Sequence, residues 1–310
     1  MILTVTANAA IDKRYVVEGF GVGNVNRVKS CVANAGGKGI NVSRVASIAG
    51  EKVTATGFLG GHAGKFISEH VQEYGIKSEF VWCTGESRTC INIWDEKEKK
   101  QTEFLEPGFS VTEEDCNALL EKFSLLLKEC RVVTISGSAP KGTGSGLYRK
   151  MIEKAREEGK PVILDTSGTL LEDCLLARPT MIKPNIDEIR ALTKRPMNTR
   201  ESMLRAAQDL HDDGIEIVAI SLGGDGSLVS CQEGVFDVKV PKIDAVNTVG
   251  CGDSMIAGFA VGMSRGLSME ETIRLASAVS AANAMRLETG FIVKEDMERL
   301  LPQIRIKKIK

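Results

Sequence analysis

The sequence is poor in aromatic side chains, with two Trp, three Tyr and ten Phe among 310 residues. Its three histidines, His62, His70 and His211, stand at spacings that match no metal-ligand pattern. Eight cysteines are scattered with no C-x-x-C pair, so they are expected as reduced, mostly core-buried thiols and not as a disulfide framework. There is no surplus of charge. The 40 Lys and Arg face 41 Asp and Glu, a net charge of −1, which removes the basic footprint that nucleic-acid binding leans on. No run reaches the roughly 18 apolar residues of a membrane span, and the best candidate, near the C-terminal end, is cut by Asp253. Residues 1–8 lack a positively charged leader, and Asp12 arrives before an apolar core could finish. The expectation is therefore a cytoplasmic protein with neither nucleic acid nor membrane as partner. With no internal repeat and no low-complexity linker, one domain over residues 1–310 is expected.

What is present is alternation. Short aliphatic runs at residues 2–6, 53–59, 132–135, 161–164 and 215–221 read as strands. Between them lie helical patterns, including residues 66–74, 147–158, 186–193, 201–210 and 275–285. Thr112 with Asp115 three residues on predicts a capped helix start before the apolar periodicity of residues 119–127. Strands and longer helices in turn predict an α/β fold, a mainly parallel central sheet with helices on both faces. Residues 14–20, 27–33, 88–94 and 101–105 break the rhythm and read as extra strands, the last two joined by the charged tip at residues 95–100. A small β-sheet inserted at about residues 13–34 and 87–107 is expected to project from the body.

The stretch Asn247-Thr248-Val249-Gly250-Cys251-Gly252-Asp253-Ser254-Met255 carries the clearest chemistry. Two glycines leave backbone N–H groups open just where an apolar helix begins, and a helix N-terminus holds anions through free N–H groups and the macrodipole. An ordinary helix cap would not need two positions without side chains.

This stretch resembles the C-terminal signature of the ribokinase-like carbohydrate kinases, the PfkB family. A second signature resembles Gly36-Gly37-Lys38-Gly39-Ile40-Asn41-Val42-Ser43-Arg44, and the segment Asn8-Ala9-Ala10-Ile11-Asp12 is similar to the family's substrate-binding start. Ser136-Gly137-Ser138-Ala139-Pro140, Leu164-Asp165-Thr166-Ser167-Gly168, Lys183-Pro184-Asn185-Ile186-Asp187-Glu188 and Ser221-Leu222-Gly223-Gly224-Asp225-Gly226 match in order. Within the family, Gly85-Glu86-Ser87-Arg88-Thr89, Gln101-Thr102-Glu103-Phe104-Leu105-Glu106 and residues 283–290 look nearest to the branch of tagatose-6-phosphate kinases and 1-phosphofructokinases. Two departures are Ala9-Ala10, where both groups have Pro-Ser, and Cys251, where Ala or Ser is usual.

The resemblance implies a ribokinase-like fold, a small β-sheet acting as a lid, and ATP-dependent phosphorylation of a ketohexose phosphate with ATP and Mg²⁺ as cofactors. It assigns Asp253 as the base. A carboxylate of ordinary pKa, about 3.9, is ionised and ready to accept the hydroxyl proton. The N–H groups of Gly250, Cys251 and Gly252 would face the transferring phosphoryl group. On the acceptor side it implies Asp12, Gly36, Gly37, Asn41 and Ser138 for the sugar, and the cations Arg27, Lys38 and Arg88 for a substrate phosphate. Lys183, Asn185, Ser221, Gly223, Gly226 and Asn283 would bind the nucleotide, although an apolar helix face explains Asn283 as well. Asn185 and Glu188, three apart at a helix start, would hold Mg²⁺ through water. Half-apolar lid strands predict a homodimer packed through the lids. The rivals are a 1-phosphofructokinase, or a catalytically silent sugar-phosphate binder. A nicotinamide enzyme is disfavoured by the lack of G-x-G-x-x-G after the first strand, and no Walker A sequence is present.

Overall fold

A computed structural model of the chain describes residues 1–144 and 146–309. In chain order the strands are β1 (Ile2–Thr6), β2 (Ala10–Val17), β3 (Ser30–Gly36), β4 (Val53–Leu59), β5 (Lys77–Ser78), β6 (Val81–Trp82), β7 (Arg88–Asp95), β8 (Lys100–Leu105), β9 (Val132–Ser136), β10 (Val162–Asp165), β11 (Met181–Ile182), β12 (Ile217–Ser221), β13 (Ser227–Cys231), β14 (Gly234–Lys239) and β15 (Arg305–Lys308). The helices are α1 (Lys38–Ile48), α2 (Gly61–Glu73), α3 (Glu113–Leu127), α4 (Leu147–Glu157), α5 (Gly168–Leu175), α6 (Ile186–Thr193), α7 (Arg200–Asp212), α8 (Cys251–Arg265), α9 (Met269–Ala284) and α10 (Lys294–Leu300).

The central sheet runs β15-β14-β13-β12-β11-β10-β9-β1-β4-β5, with β6 also on β4. Its middle, from β12 to β4, is parallel. Because side chains alternate across a strand, the aliphatic runs feed two cores at once. Ile2 joins the core under α1, α2, α8, α9 and α10, while Leu3 and Val5 join the one under α3 to α7. Phe123 and Tyr148 on one side and Phe259 on the other are wholly buried, each contributing about 1.5–3 kcal/mol by leaving water. Gly258 and Gly262, one turn apart on α8, let it close onto Ala276 and Thr272 of α9.

The fold is the ribokinase-like α/β architecture expected, with a separate four-stranded sheet in the order β3-β2-β7-β8. Thr112 and Asp115 form the reciprocal cap at the start of α3. Three local expectations shift. The first inserted strand is Ala10–Val17 and not residues 14–20, because the Asp95 carboxylate accepts the N–H groups of Gly19 and Phe20 and turns the chain away. Its partner accordingly lies at Ser30–Gly36, not at residues 27–33. α2 begins at Gly61, five residues before the periodic run, where the Glu86 carboxylate accepts the Ala63 N–H from a distant segment. The edge formed by β13, β14 and β15 is antiparallel, an extension that short polar-flanked runs did not announce.

Candidate active site

The parallel strands β1, β9, β10, β11 and β12 all end at one edge of the sheet, and the small sheet stands over that edge. In open α/β sheets this carboxyl edge is where ligands bind. A cavity of about 1110 Å³ lies there, lined by Asp12, Gly37, Lys38, Asn41, Arg88, Ser138, Gly250 and Asp253 among others. These eight predicted residues come from five separate segments of the chain.

Asp253 sits in the first turn of α8, 6% exposed. Its Oδ2 accepts Asn41 Nδ2 at 2.8 Å. Burial, reinforced by the negative charge of Asp165, lifts its pKa from the ordinary carboxylate range to about 6. That differs from the ordinary value expected from sequence, because the group is shielded from water and has a like charge nearby. Asp165, ending β10, is 2% exposed. Burial alone would raise its pKa, but the ammonium groups of Lys183 and Lys38 outweigh burial and hold it low. Lys38 Nζ is 3.3 Å from one oxygen and Lys183 Nζ 3.8 Å from the other. For Lys38, burial works against the charge, yet Asp165 and Asp253 keep it firmly protonated.

Gly250 caps α8 with φ +80°, a conformation glycine adopts freely. A Cβ there would meet Gly290 N at 2.7 Å. The expected trio of open N–H donors is altered, since Cys251 N–H donates to Thr248 O at 3.3 Å. Among the described residues the N–H groups of Gly250, Gly252 and Asp253 have no backbone acceptor. Lys183 lies under this turn: a Cβ on Gly252 would come within 3.1 Å of its Nζ. Burial raises the Cys251 thiol pKa, so the oxidation-prone thiolate is suppressed.

On the acceptor side, Gly36 leaves room where any Cβ would overlap the Asp12 carboxylate. Asp12 Oδ2 accepts the Gly37 N–H at 3.4 Å, and burial raises its pKa. Asn8 Nδ2 donates to Ser138 Oγ at 3.1 Å. Arg88 Nε donates to Asn8 O and Nη1 to Glu106 O, both at 3.1 Å. Among the described residues Arg88 has no carboxylate within ion-pair distance, so its charge is aimed but not neutralised. Arg27 differs: it lies exposed on the connection between β2 and β3, away from the cavity lining.

The predicted nucleotide residues gather beside the cavity, not in its lining. Ser221 N–H donates to Pro184 O at 3.1 Å and pairs Asn185 with Ser221, holding the ends of β11 and β12 side by side. Gly223 and Gly226 close the next tight turn through Gly226 N–H to Gly223 O at 3.1 Å. Asn185 and Glu188 form a reciprocal cap, Glu188 N–H to Asn185 Oδ1 at 2.8 Å and Asn185 N–H to Glu188 Oε2 at 2.9 Å. No cluster of three His, Cys, Asp or Glu able to hold a metal occurs among the described residues. Their remaining lone pairs suit a Mg²⁺ ion that keeps most of its water and leans on phosphates.

Asn283 differs from expectation. It is wholly buried, donating to Val249 O at 3.0 Å and accepting Phe291 N–H at 3.1 Å. It braces the 249–251 turn from beneath and has no face left for an adenine. Two site residues escaped notice in the sequence, Asp165 and Arg44. Both stood inside quoted motifs; a lone carboxylate ending an apolar parallel strand was the available signal for Asp165.

The sequence profile described as pfkB family carbohydrate kinase matches residues 3–296. The chain belongs to the PfkB family of carbohydrate kinases. This PfkB kinase is 39% identical over 310 residues to a tagatose-6-phosphate kinase of Staphylococcus epidermidis, covering 99% of each chain. Among solved structures, phosphofructokinase-2 from Escherichia coli superposes with a TM-score of 0.91 at 26% identity, covering 97% of this chain and 98% of that one. A Thermotoga maritima protein described as a possible 1-phosphofructokinase superposes at 0.89 with 29% identity, covering 100% and 99%. No helix among the described residues is long and apolar enough to cross a membrane.

Proposed function

We propose that this PfkB kinase transfers the γ-phosphoryl group of ATP to a hydroxyl of a ketohexose phosphate, giving the bisphosphate and ADP. Tagatose 6-phosphate is the leading acceptor and fructose 1-phosphate the alternative. The observation that carries the reading is one cavity holding both a buried carboxylate, Asp253, and an unneutralised guanidinium, Arg88. A neutral sugar needs no such cation, whereas a substrate phosphate does. The long likeness to a tagatose-6-phosphate kinase supports the choice of lead acceptor.

In this mechanism the acceptor hydroxyl attacks the γ-phosphorus, its proton passes to Asp253, and the bond to ADP breaks. A base of pKa about 6 is ionised at neutral pH and still basic enough to take that proton. The open N–H groups of Gly250 and Gly252, with Lys38 and Lys183 close by, offset the charge spread over the transferring group. Asp12, Gly37, Asn41 and Ser138 hold the sugar. Asn185 and Glu188 would hold Mg²⁺ through water, and the ion supplies charge neutralisation at the phosphates. Ser221, Gly223 and Gly226 border the nucleotide.

The small sheet serves as the lid. Its strands alternate, so Asp12, Asn34, Asn92 and Glu103 turn to the cavity. Val32 and Leu105, on the same face as Asp12 and Glu103, and Phe104 on the opposite face remain at least half-exposed, and we assign this exposed apolar surface to a homodimer packed lid against lid, with Arg27 near that contact. Sedimentation velocity at assay concentration is expected to show a dimer, and monomer alone would remove this part.

The deciding experiment is an ADP-release assay across tagatose 6-phosphate, fructose 1-phosphate, fructose 6-phosphate and free ketohexoses. The expected order puts tagatose 6-phosphate first and the free sugars at least about 10–100-fold lower in kcat/KM, the worth of a charged hydrogen bond. Equal rates with free sugars would overturn the phosphate assignment. Silence with every sugar phosphate, together with binding, would favour the catalytically silent binder.

A further inference from the structure

Arg44 lies in the middle of α1, 5% exposed, and no carboxylate pairs with it among the described residues. A buried charge is costly unless its donors are all occupied, and an apolar side chain often serves stability as well. Its partners are three backbone carbonyl oxygens from two places. Nη2 donates to Ala35 O at the end of β3, and Nη1 donates to Thr289 O at 3.1 Å and Gly290 O at 3.2 Å. Nη1 also faces Asn41 Oδ1 at 3.3 Å, and the Tyr74 ring stacks beneath the guanidinium at 5.4 Å.

The contact with Asn41 has a chemical consequence. A primary amide offers one oxygen and one NH₂. Because Arg44 can only donate, the oxygen must turn toward it, and the NH₂ is left facing Asp253 Oδ2 at 2.8 Å. The reverse orientation would set an oxygen against a carboxylate. The same guanidinium grips the 289–290 turn, whose backbone packs against Gly250, and the strand end beside Gly36 and Asp12.

We propose that Arg44 is a positioning residue for phosphoryl transfer, fixing the Asn41 amide toward Asp253 while tying it to the sugar-binding strand and to the turn behind Gly250. The inference rests on Asp253 being the base. Arg44 touches no reacting atom; it acts through Asn41.

The test is the pH profile of kcat in Arg44→Lys, with Tyr74→Leu as a control for packing beneath the guanidinium. A lysine keeps the charge but cannot span Asn41 and both sets of carbonyls. The expected result is a kcat loss of about 10–100-fold, the effect of a misaligned reacting group, with KM for ATP little changed. The acid limb is expected to move upward, because Asn41 donates to the charged form of Asp253. Lys38 on α1, Lys183 after β11 and Asp165 at the end of β10 also face Asp253, and they are retained in every variant. Should Arg44→Lys fail to fold, Gly290→Ala replaces it, since a Cβ there would come within 2.6 Å of Asn41 Cγ with Arg44 intact. It is expected to lower kcat and move the limb in the same direction. Tyr74→Leu should lower the melting temperature and leave the limb in place. A lowered melting temperature with a wild-type kcat and limb in the folded variants would overturn the proposal. If Asp253→Asn retains turnover, the base assignment itself fails. If Asp253→Asn is silent while Arg44→Lys and Gly290→Ala keep the wild-type profile, only the role of Arg44 fails.

Discussion

Lys38 Nζ lies 3.3 Å from Asp165 Oδ2, and the other oxygen of the same buried carboxylate faces Lys183 Nζ at 3.8 Å. One carboxylate thus stands between two ammonium groups, one from the first turn of α1 and one from just past the end of β11, the strand beside β10. It holds them beside the glycine turn, where Asp253 also acts on Lys38. Its negative charge also acts on Asp253, adding to burial in raising that group's proton affinity.

Replacing Asp165 with Asn tests that coupling. The substitution removes a like charge and leaves two ammonium groups free to favour ionised Asp253, so its pKa should fall. A base works when deprotonated, so wild-type kcat should drop as pH falls through about 6, and the acid limb of Asp165→Asn should lie at lower pH. A limb that stays in place would disconnect the two carboxylates. Stability should respond as well. Asp165 is held below its unfolded pKa, so its contribution is present above that unfolded value and is lost as pH falls through the folded one. The Asn variant should lack this acid loss in a urea titration.

Asp253→Asn should keep the shape of the turn and lose the proton acceptor. Turnover is expected to fall by about 10²–10⁴-fold, the usual worth of a general base, with ATP affinity by calorimetry nearly unchanged. Turnover near the wild-type level would remove Asp253 from its assigned role.

Gly250→Ala forces a Cβ onto a residue at φ +80° and against Gly290 N. The strained backbone should cost about 1–3 kcal/mol, read as a lower urea midpoint. The displaced N–H groups should cost kcat about 100-fold. A variant as active as the parent would show that the turn does not act on the transferring group.

Arg88→Gln keeps hydrogen-bonding capacity toward Asn8 O and removes the charge. KM for the sugar phosphate should rise about 10–100-fold while KM for ATP stays the same. The residual rate with free ketohexoses should not change. Equal losses with phosphorylated and free sugars would mean that Arg88 supports the fold and not the phosphate.

The chain's own pattern already contained the architecture. Continuous short aliphatic runs between helices call for a sheet covered on both faces, and Thr112 with Asp115 marked a cap that is purely local. The glycines beside Asp253 were legible as an open helix start, and the motifs around Asp12, Lys38 and Asn41 were legible through their resemblance to the family's signatures. Other features were settled by distance in space. The Asp95 and Glu86 carboxylates end or start elements far from them in sequence. Asn283 spends its amide inside the protein, Arg27 lies outside the cavity, and the Asp253 pKa depends on a carboxylate 88 residues earlier in the chain (253 − 165). Local propensity and periodicity act over a few residues, so sequence determined the elements and the glycine turns. Burial and charge act between whatever the fold brings together, so the protonation and aim of Asp253, and the part taken by Arg44, were decided only in three dimensions.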